Sequence, residues 1–592
     1  MLLALVFLLA TRQLGCSHAY SGSGAYRAQV DALLSGHLAL TTSPDALAHD
    51  LAWTATGVQQ VWGLGVPLWQ LPFELAARAI GQDPFPDRVA MLLWIALTLF
   101  VLLRAFRNAE EPWWLGAGSV LITALLPAFV AMVRGRVNVY EEAEIYAYTA
   151  GLILLGGLLV VHRTPTRGRY LVLLLAAGLT GLIRPTVWFY GFGTAILGTA
   201  IYVRAHGRRV LPMVALGAAL FAAGGGVLYA TNARRFGAGT EFGHRLNIHS
   251  LPGNIVATRF SFPFERAGWI EATEELVGSL FGRPELNATK GFYEHDLHVG
   301  QSEVVRWREY YFTTFSWPYV PILLAGLVLG VLAWRRRAKE ATDPLASWIV
   351  AWAAIGGLPL FVFYLHTPSI SSRYELDLAP GMAALIVIAW RGGARWLLAR
   401  GRGVIAPALL VALWALAIVT SKARNRVATD LVDRHAAEVA LAAIVRLPAF
   451  PHELPAGYSL DDPKLETWLD TGSHPEGSAA HPLYLNGIGW DRTSGRVPPA
   501  THFYMTDPAF VEVEVETPTG VAIDWTDHVR VAIGREHLTL ATTEPTRRGA
   551  RLRFTLAGGP LPGLQVAFVA FGPDTELDRP QSNVVLRSIR WR

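Results

Sequence analysis

The sequence predicts a mainly α fold: a polytopic membrane bundle of about eleven transmembrane helices, followed by a C-terminal β-sandwich outside the membrane. Three observations lead there. Apolar runs of about 20 residues, the length needed to cross a hydrocarbon core of about 30 Å, recur up to residue 420. The short connections between them alternate between arginine-rich and arginine-poor. Beyond residue 420 no spanning run occurs, and short alternating stretches such as Val511–Glu516 (VEVEVE) take over.

The first run, residues 1–16, falls short of a full crossing unless Arg12 is buried, and it lacks the basic start and small-x-small site of a signal peptide. It is read as the first span. The others are 89–106, 113–133, 145–161, 170–183, 187–203, 210–230, 318–334, 345–365, 378–396 and 404–420. Tryptophans near the ends of runs (Trp113, Trp114, Trp188, Trp317, Trp334) suit the interface. The arginine-rich connections are 104–112, 162–169, 203–209, 335–339 and 391–402. By the positive-inside rule these are cytoplasmic. Segments 18–88, 134–144, 184–188, 232–317, 366–377 and everything past 421 then lie outside, in a bacterial-type inner (plasma) membrane.

The chain divides into a membrane part, 1–420, with long outer loops 18–88 and 232–317; a linker, 421–457, expected to be helical over 423–444; and a sandwich, 458–592. Strands are expected at Val511–Glu516, Val529–Ile533, Leu552–Leu556, Val566–Ala570 and Val584–Ile589, opened by Leu483–Trp490 and closed by Arg579–Arg592. The net charge of +5 is no nucleic-acid signature, because the basic residues concentrate in membrane-flanking loops. A single cysteine, Cys16, excludes a disulfide framework and a cysteine-based zinc site. His244, His249, His295 and His298 match no zinc spacing, so no metal ligand is assigned and a divalent requirement stays open. Neither a phosphate-binding Walker loop, a dinucleotide fingerprint nor a serine-hydrolase elbow occurs.

Candidate chemistry concentrates on the outer side. Loop 18–88 carries Asp31, His49, Asp50, Trp53, Gln60 and Trp62. A carboxylate there can take a proton from an acceptor hydroxyl, and aromatic and amide side chains suit the faces and edges of a sugar ring. Helix capping by Asp50 is the plainer reading. Residues 134–144 place Glu141, Glu142 and Glu144 at a helix mouth beside Arg134 and Arg136; capping explains one glutamate more readily than three. Arg184 and Arg373, the latter beside Tyr374, are isolated outer arginines suited to a phosphate, or to ion pairs with neighbouring carboxylates.

Four short motifs carry a resemblance: Ser21-Gly22-Ser23-Gly24-Ala25-Tyr26, Tyr140-Glu141-Glu142-Ala143, Ile183-Arg184-Pro185-Thr186, and Ser372-Arg373-Tyr374 through Asp377-Leu378-Ala379-Pro380. With the long acidic first loop and the soluble tail, residues 1–420 resemble the GT-C glycosyltransferases, including protein O-mannosyltransferases and aminoarabinose transferases. The resemblance implies transfer of a sugar from a polyprenyl-phosphate donor, with inversion, to a glycan, lipid or protein acceptor, and membrane lipids as surroundings. It implies a carboxylate base among Asp50, Asp31, Glu141 and Glu142, and a donor cradle from Arg184, Arg373, Tyr374, Trp53, Gln60, Trp62 and His49. Where many relatives carry an early acidic pair, this chain has Ser21-Gly22-Ser23-Gly24. A non-catalytic relative or a flippase of lipid-linked saccharides is therefore the alternative. The tail resembles small β-sandwich modules of carbohydrate-active proteins. On this reading Asp50→Asn and Arg373→Ala insert normally and lose transfer in a reconstituted donor assay; full turnover in both removes these two residues from the site.

Overall fold

A computed structural model describes residues 20–126, 129–243, 320–335, 345–365, 374–409, 456–461 and 490–592, with breaks that include 42–50, 134–138 and 573–581, and short segments elsewhere. Among the described residues, the N-terminal part contains the helices α1 Ala25–Leu34, α2 Gly65–Ala79, α3 Asp87–Phe106, α4 Trp113–Ala124, α5 Val139–Arg163, α6 Arg167–Ile183, α7 Val187–His206, α8 Leu211–Phe236, α9 Val320–Arg335, α10 Ala346–Leu365 and α11 Glu375–Leu398. Five are long and apolar enough to cross a membrane: α3, α5, α8 with the 3-10 turn before it, α10, and α11 from Leu376. The apolar helices α4 and α9 are shorter. The expected count of eleven is therefore not reached among the described residues. The run 1–16 lies outside them, and so does most of 404–420. The run 113–133 is helical in α4 only to Ala124, about 18 Å of rise, and the chain turns at Leu125.

Position in the bundle follows from side-chain character. In α5, 78% of the apolar window is buried, and Ile145, Tyr148, Leu155 and Leu158 are fully enclosed, so α5 is the central post. Only 17% of the corresponding window of α8 is buried, which makes it peripheral. Val172, Ile196, Leu211, Leu324 and Leu358 are each more than half exposed. An apolar surface on this scale belongs against lipid, where only helices or closed barrels satisfy the backbone. Close helix contacts use glycine: a Cβ on Gly224 of α8 would come within 2.4 Å of the Gly178 backbone of α6. Small residues at such crossings let backbones approach in lipid, where no hydrophobic drive holds helices together.

The loop expected at 18–88 is largely folded. Besides α1 and α2 it holds the hairpin β2 (Leu51–Thr54) and β3 (Gly57–Gln60), with Trp53 opposite Val58. Before α1, β1 (Tyr20–Ser21) pairs antiparallel with the two-residue strand β7 (Leu431–Val432). Within the expected helical linker 423–444, these two residues are extended because their backbone pairs with Tyr20 and Ser21, whereas His435 and Glu438 are helical. In the loop at 232–317, α8 extends to Phe236, and three short antiparallel strands follow: β4 Glu285–Asn287, β5 Phe292–Leu297 and β6 Trp307–Glu309. His244, His249 and His298 lie outside the described residues, and so does the His295 side chain.

The C-terminal part contains two antiparallel sheets. In chain order the strands are β8 Gly457–Ser459, β9 Ala500–Thr506, β10 Phe510–Glu516, β11 Val529–Ile533, β12 Glu536–His537, β13 Thr539–Pro545, β14 Gly549–Thr555, β15 Leu564–Phe571 and β16 Val585–Trp591. One sheet runs β13-β14-β10-β16-β8, the other β12-β11-β15-β9. The alternation of β10 explains its place. Val511, Val513 and Val515 are fully buried in a core with Phe503, Leu552 and Ile589. On the other face, Glu514 meets Arg551 at 3.2 Å and Glu516 meets Arg587 at 3.0 Å. The expected opening strand, 483–490, lies outside the described residues apart from Trp490, which is buried in this core.

Sidedness can be tested directly. With Cys16 replaced by Ser, an impermeant thiol reagent is expected to label a cysteine at exposed position 537 in intact cells or spheroplasts. A cysteine at exposed position 402 should react only after permeabilisation. The reverse pattern contradicts the charge-based topology.

Candidate functional site

The conspicuous polar cluster lies at the arginine-poor end of the bundle, where α5 begins. This helix starts at Val139, six residues before the expected span, so Glu141, Glu142 and Glu144 sit within its first turns and are fully buried. Buried carboxylates are costly unless partnered, and the partners come from distant parts of the chain.

Glu144 is 2.9 Å from Arg184, in the turn between α6 and α7. The same guanidinium reaches Asp377 in the first turn of α11, its Nε donating at 2.8 and 3.0 Å to the two carboxylate oxygens. Asp377 also accepts from the Tyr364 hydroxyl of α10. Tyr374 stacks on Tyr364 at 6.1 Å and lies 5.1 Å below the Arg184 guanidinium. One arginine thus ties three helix ends.

A second node forms around Asp87, the first residue of α3. It is buried and pairs with Arg27 of α1. It also accepts the Ser21 backbone N–H at 2.9 Å, and Arg27 donates to the Ser21 carbonyl at 2.8 Å. Between the nodes lies Glu142, which accepts from Gln70 Nε2 of α2 at 2.9 Å. Among the described residues, no arginine lies within ion-pair distance of Glu142.

Aromatic rings line the same region. Trp62 meets Tyr26 edge-on at 6.5 Å and Tyr140 at 5.5 Å. Burial first, and then the negative charge of Glu142, pushes the Tyr26 phenol well above its ordinary pKa, so it remains a hydrogen-bond donor. Its hydroxyl has no hydrogen-bond partner among the described residues. Arg235, near the C-terminus of α8, donates to the carbonyls of Gln60 and, at 3.3 Å, Trp62, holding the loop from behind. The Gly63-Leu64-Gly65 turn fits because it has no side chains at its glycines. A Cβ on Gly63 would come within 2.1 Å of the Leu182 carbonyl, and one on Gly65 within 2.7 Å of the Ile183 backbone. That contact brings the aromatic loop against the end of α6 immediately before Arg184.

No protein-family description matches this chain, and no curated protein does. Among solved structures it is similar to arabinosyltransferase EmbB from Mycobacterium smegmatis, determined by single-particle cryo-electron microscopy. The match takes in 100% of this chain and 64% of that one, at 11% identity and a TM-score of 0.34. The chain therefore spans somewhat less than two thirds of that protein's length. A likeness this distant carries no argument about activity.

The structure brings Glu141, Glu142, Arg184, Tyr374, Gln60 and Trp62 to one end of the bundle. Two assignments change. Asp31 is not at the cluster: it pairs with Arg78, whose side chain is 39% exposed, because α1 turns this residue outward while presenting Tyr26 and Arg27 inward. The Arg184 guanidinium, expected to meet a phosphate, is engaged by Glu144 and Asp377, the ion-pair alternative. His49, Asp50, Arg134, Arg136 and Arg373 lie outside the described residues, as does the side chain of Trp53. Sequence reasoning passed over Tyr26, Arg27, Gln70, Asp87 and Asp377 as site members. The signal for Asp87 was an acid directly before an apolar run; Gln70 gave none, being one amide on an amphipathic helix. Among the described residues, no three His, Cys, Asp or Glu side chains group to hold a metal ion.

Removing one partner from a buried ion pair costs about 3–5 kcal/mol, because the other charge is left unmatched. Arg184→Gln is therefore expected to lower the melting temperature of the purified protein sharply. Adding Asp377→Asn to that variant should recover part of the loss. An unchanged melting curve for the single variant contradicts the bridging role.

Proposed function

We propose that this chain is a membrane glycosyltransferase that moves a sugar from a polyprenyl-phosphate donor to a hydroxyl of an extracytoplasmic glycan, lipid or protein, with Glu142 as the general base. The supporting observation is the unequal treatment of the buried carboxylates. Asp87 has Arg27, and Glu144 and Asp377 share Arg184; Glu142 accepts from the Gln70 amide and forms no ion pair among the described residues. A carboxylate ion-paired to an arginine is already committed to that cation, whereas one that accepts only from a neutral amide can still accept from an approaching hydroxyl.

In this reading the acceptor hydroxyl approaches Glu142, which takes its proton as the acceptor oxygen forms a bond to the anomeric carbon. The bond from that carbon to the donor phosphate breaks on the opposite face, giving inversion and free polyprenyl phosphate. The Tyr26 O–H is placed to donate to an oxygen of donor or acceptor, and the Trp62 and Tyr140 rings offer apolar faces to a sugar. The Arg184 clamp positions α5 and α11 and does not touch the reacting atoms. Asp50, Arg373, Trp53 and His49 remain proposed contributors from the same loops, in an inner membrane with the sandwich outside.

General-base catalysis typically contributes about 10²–10⁴-fold. Glu142→Gln, which preserves the shape and the Gln70 contact, is expected to reduce transfer in a reconstituted polyprenyl-phosphate-sugar assay by that factor. Its elution volume and helical content should stay normal. Full turnover in this variant refutes the assignment of the base. The Ser21-Gly22-Ser23-Gly24 departure favours a non-catalytic relative as the second reading, and donor binding without turnover in the unmodified protein is the result that reading requires.

A further inference from the structure

The opposite end of the bundle carries a second polar site, one that the transfer chemistry does not use. From Glu142 to Arg163, α5 rises about 31 Å. Around its C-terminal end lies a cavity of about 310 Å³ walled by residues that include Arg107, Arg163, Arg391, Arg395, His162 and Glu111. Among the described residues its walls hold four guanidinium groups and one carboxylate.

The positive-inside rule explains arginines on exposed loops at this end, but it does not explain this arrangement. Arg391 is 1% exposed and belongs to α11, with Arg395 one turn further along the same face. Both reach the same carboxylate: Arg391 donates to the two oxygens of Glu111 at 3.1 Å each, and Arg395 also donates to Glu111. From across the cavity, Arg163 donates to the backbone carbonyls of Arg104, at 3.4 Å, and Arg107. Main-chain carbonyls thus help set the direction of its guanidinium. His162 packs at 5.4 Å from Trp348 and closes one side. The result is a concave wall of preset guanidinium groups at the level of membrane headgroups. Arginine forks match phosphate oxygens bidentately, and basic hollows between transmembrane helices suit phosphorylated headgroups.

We propose that this cavity is a binding site for a phosphate-bearing anion, with Arg395, Arg391, Arg163 and Arg107 as its donors and Glu111 as the carboxylate that holds the arginine pair in place. The ligand chemistry is a phosphate group on the arginine-rich side of the membrane. Its source is either a free phosphate compound or the headgroup of an anionic phospholipid. The site is separate from the carboxylate cluster and does not depend on the proposed transfer activity.

Binding is read from the full-length protein. In detergent, its thermal unfolding is followed while inorganic phosphate is titrated against chloride at constant ionic strength. In nanodiscs, the unfolding temperature is compared between phosphatidylcholine alone and phosphatidylcholine containing one part in three phosphatidylglycerol. The expected result is saturable stabilisation by at least one probe, weakened about tenfold or more in apparent affinity by Arg395→Gln, since a charge-assisted hydrogen bond is lost. Arg107→Gln, on an exposed position, is a second variant that keeps the fold. Stabilisation by inorganic phosphate identifies a free phosphate compound as sufficient, and stabilisation confined to the phosphatidylglycerol discs identifies the lipid headgroup. Absence of stabilisation by both probes, or stabilisation unchanged in both variants, overturns the site.

Discussion

The arrangement at the carboxylate end depends on one partly buried arginine. Arg184 is bound by Glu144 of α5 and Asp377 of α11, the latter 193 residues away in sequence. Two carboxylates are buried there only because this guanidinium lies between them; burying either alone would favour its neutral form or an opened bundle. Since Tyr364 donates to Asp377 and Tyr374 lies under the guanidinium, the same cation also orders the ends of α10 and α11. The turn that holds Arg184 is in contact with Gly63 and Gly65, so the position of Trp62 is coupled to the clamp.

Carboxylates of the same kind acquire different characters from their surroundings. Asp87, Glu142, Glu144 and Asp377 are all enclosed, yet three are matched to arginines and one is not. Environments that push like groups apart in proton affinity are how a site divides structural from chemical work. Here the division is geometric: the matched carboxylates begin α3 and α11 or face the α6–α7 turn, and Glu142 faces the amide of α2.

The central helix α5 connects both ends of the molecule. Its first turns bring acidic residues into the cluster, its middle is enclosed by aliphatic and aromatic packing, and its last turn carries His162 and Arg163 to the basic cavity. α11 runs the same way, from Asp377 to Arg391 and Arg395. Two parallel neighbours thus separate negative and positive character by roughly the thickness of a bilayer. Peripheral helices such as α8 carry little of this charge pattern and present mostly apolar surface.

The sequence by itself determined the features set by local composition. Apolar run length marked the cores of α3, α5, α7, α8, α10 and α11, alternation placed β10, β11, β14, β15 and β16, and the arginine bias divided the two ends of the bundle. Only the tertiary structure decided which charges meet. Asp31 and Arg27 lie on one short helix, and nothing in their spacing says that Arg27 turns inward to Asp87 while Asp31 turns outward to Arg78. Arg184 could have served a phosphate or an ion pair, and the choice rested on a carboxylate from α11. The start of α5 was misplaced because hydropathy counts Glu141, Glu142 and Glu144 against a helix interior, whereas partners from other helices make their burial tolerable. Pairings across long sequence separations depend on the fold as a whole, and a single chain's local pattern does not encode them.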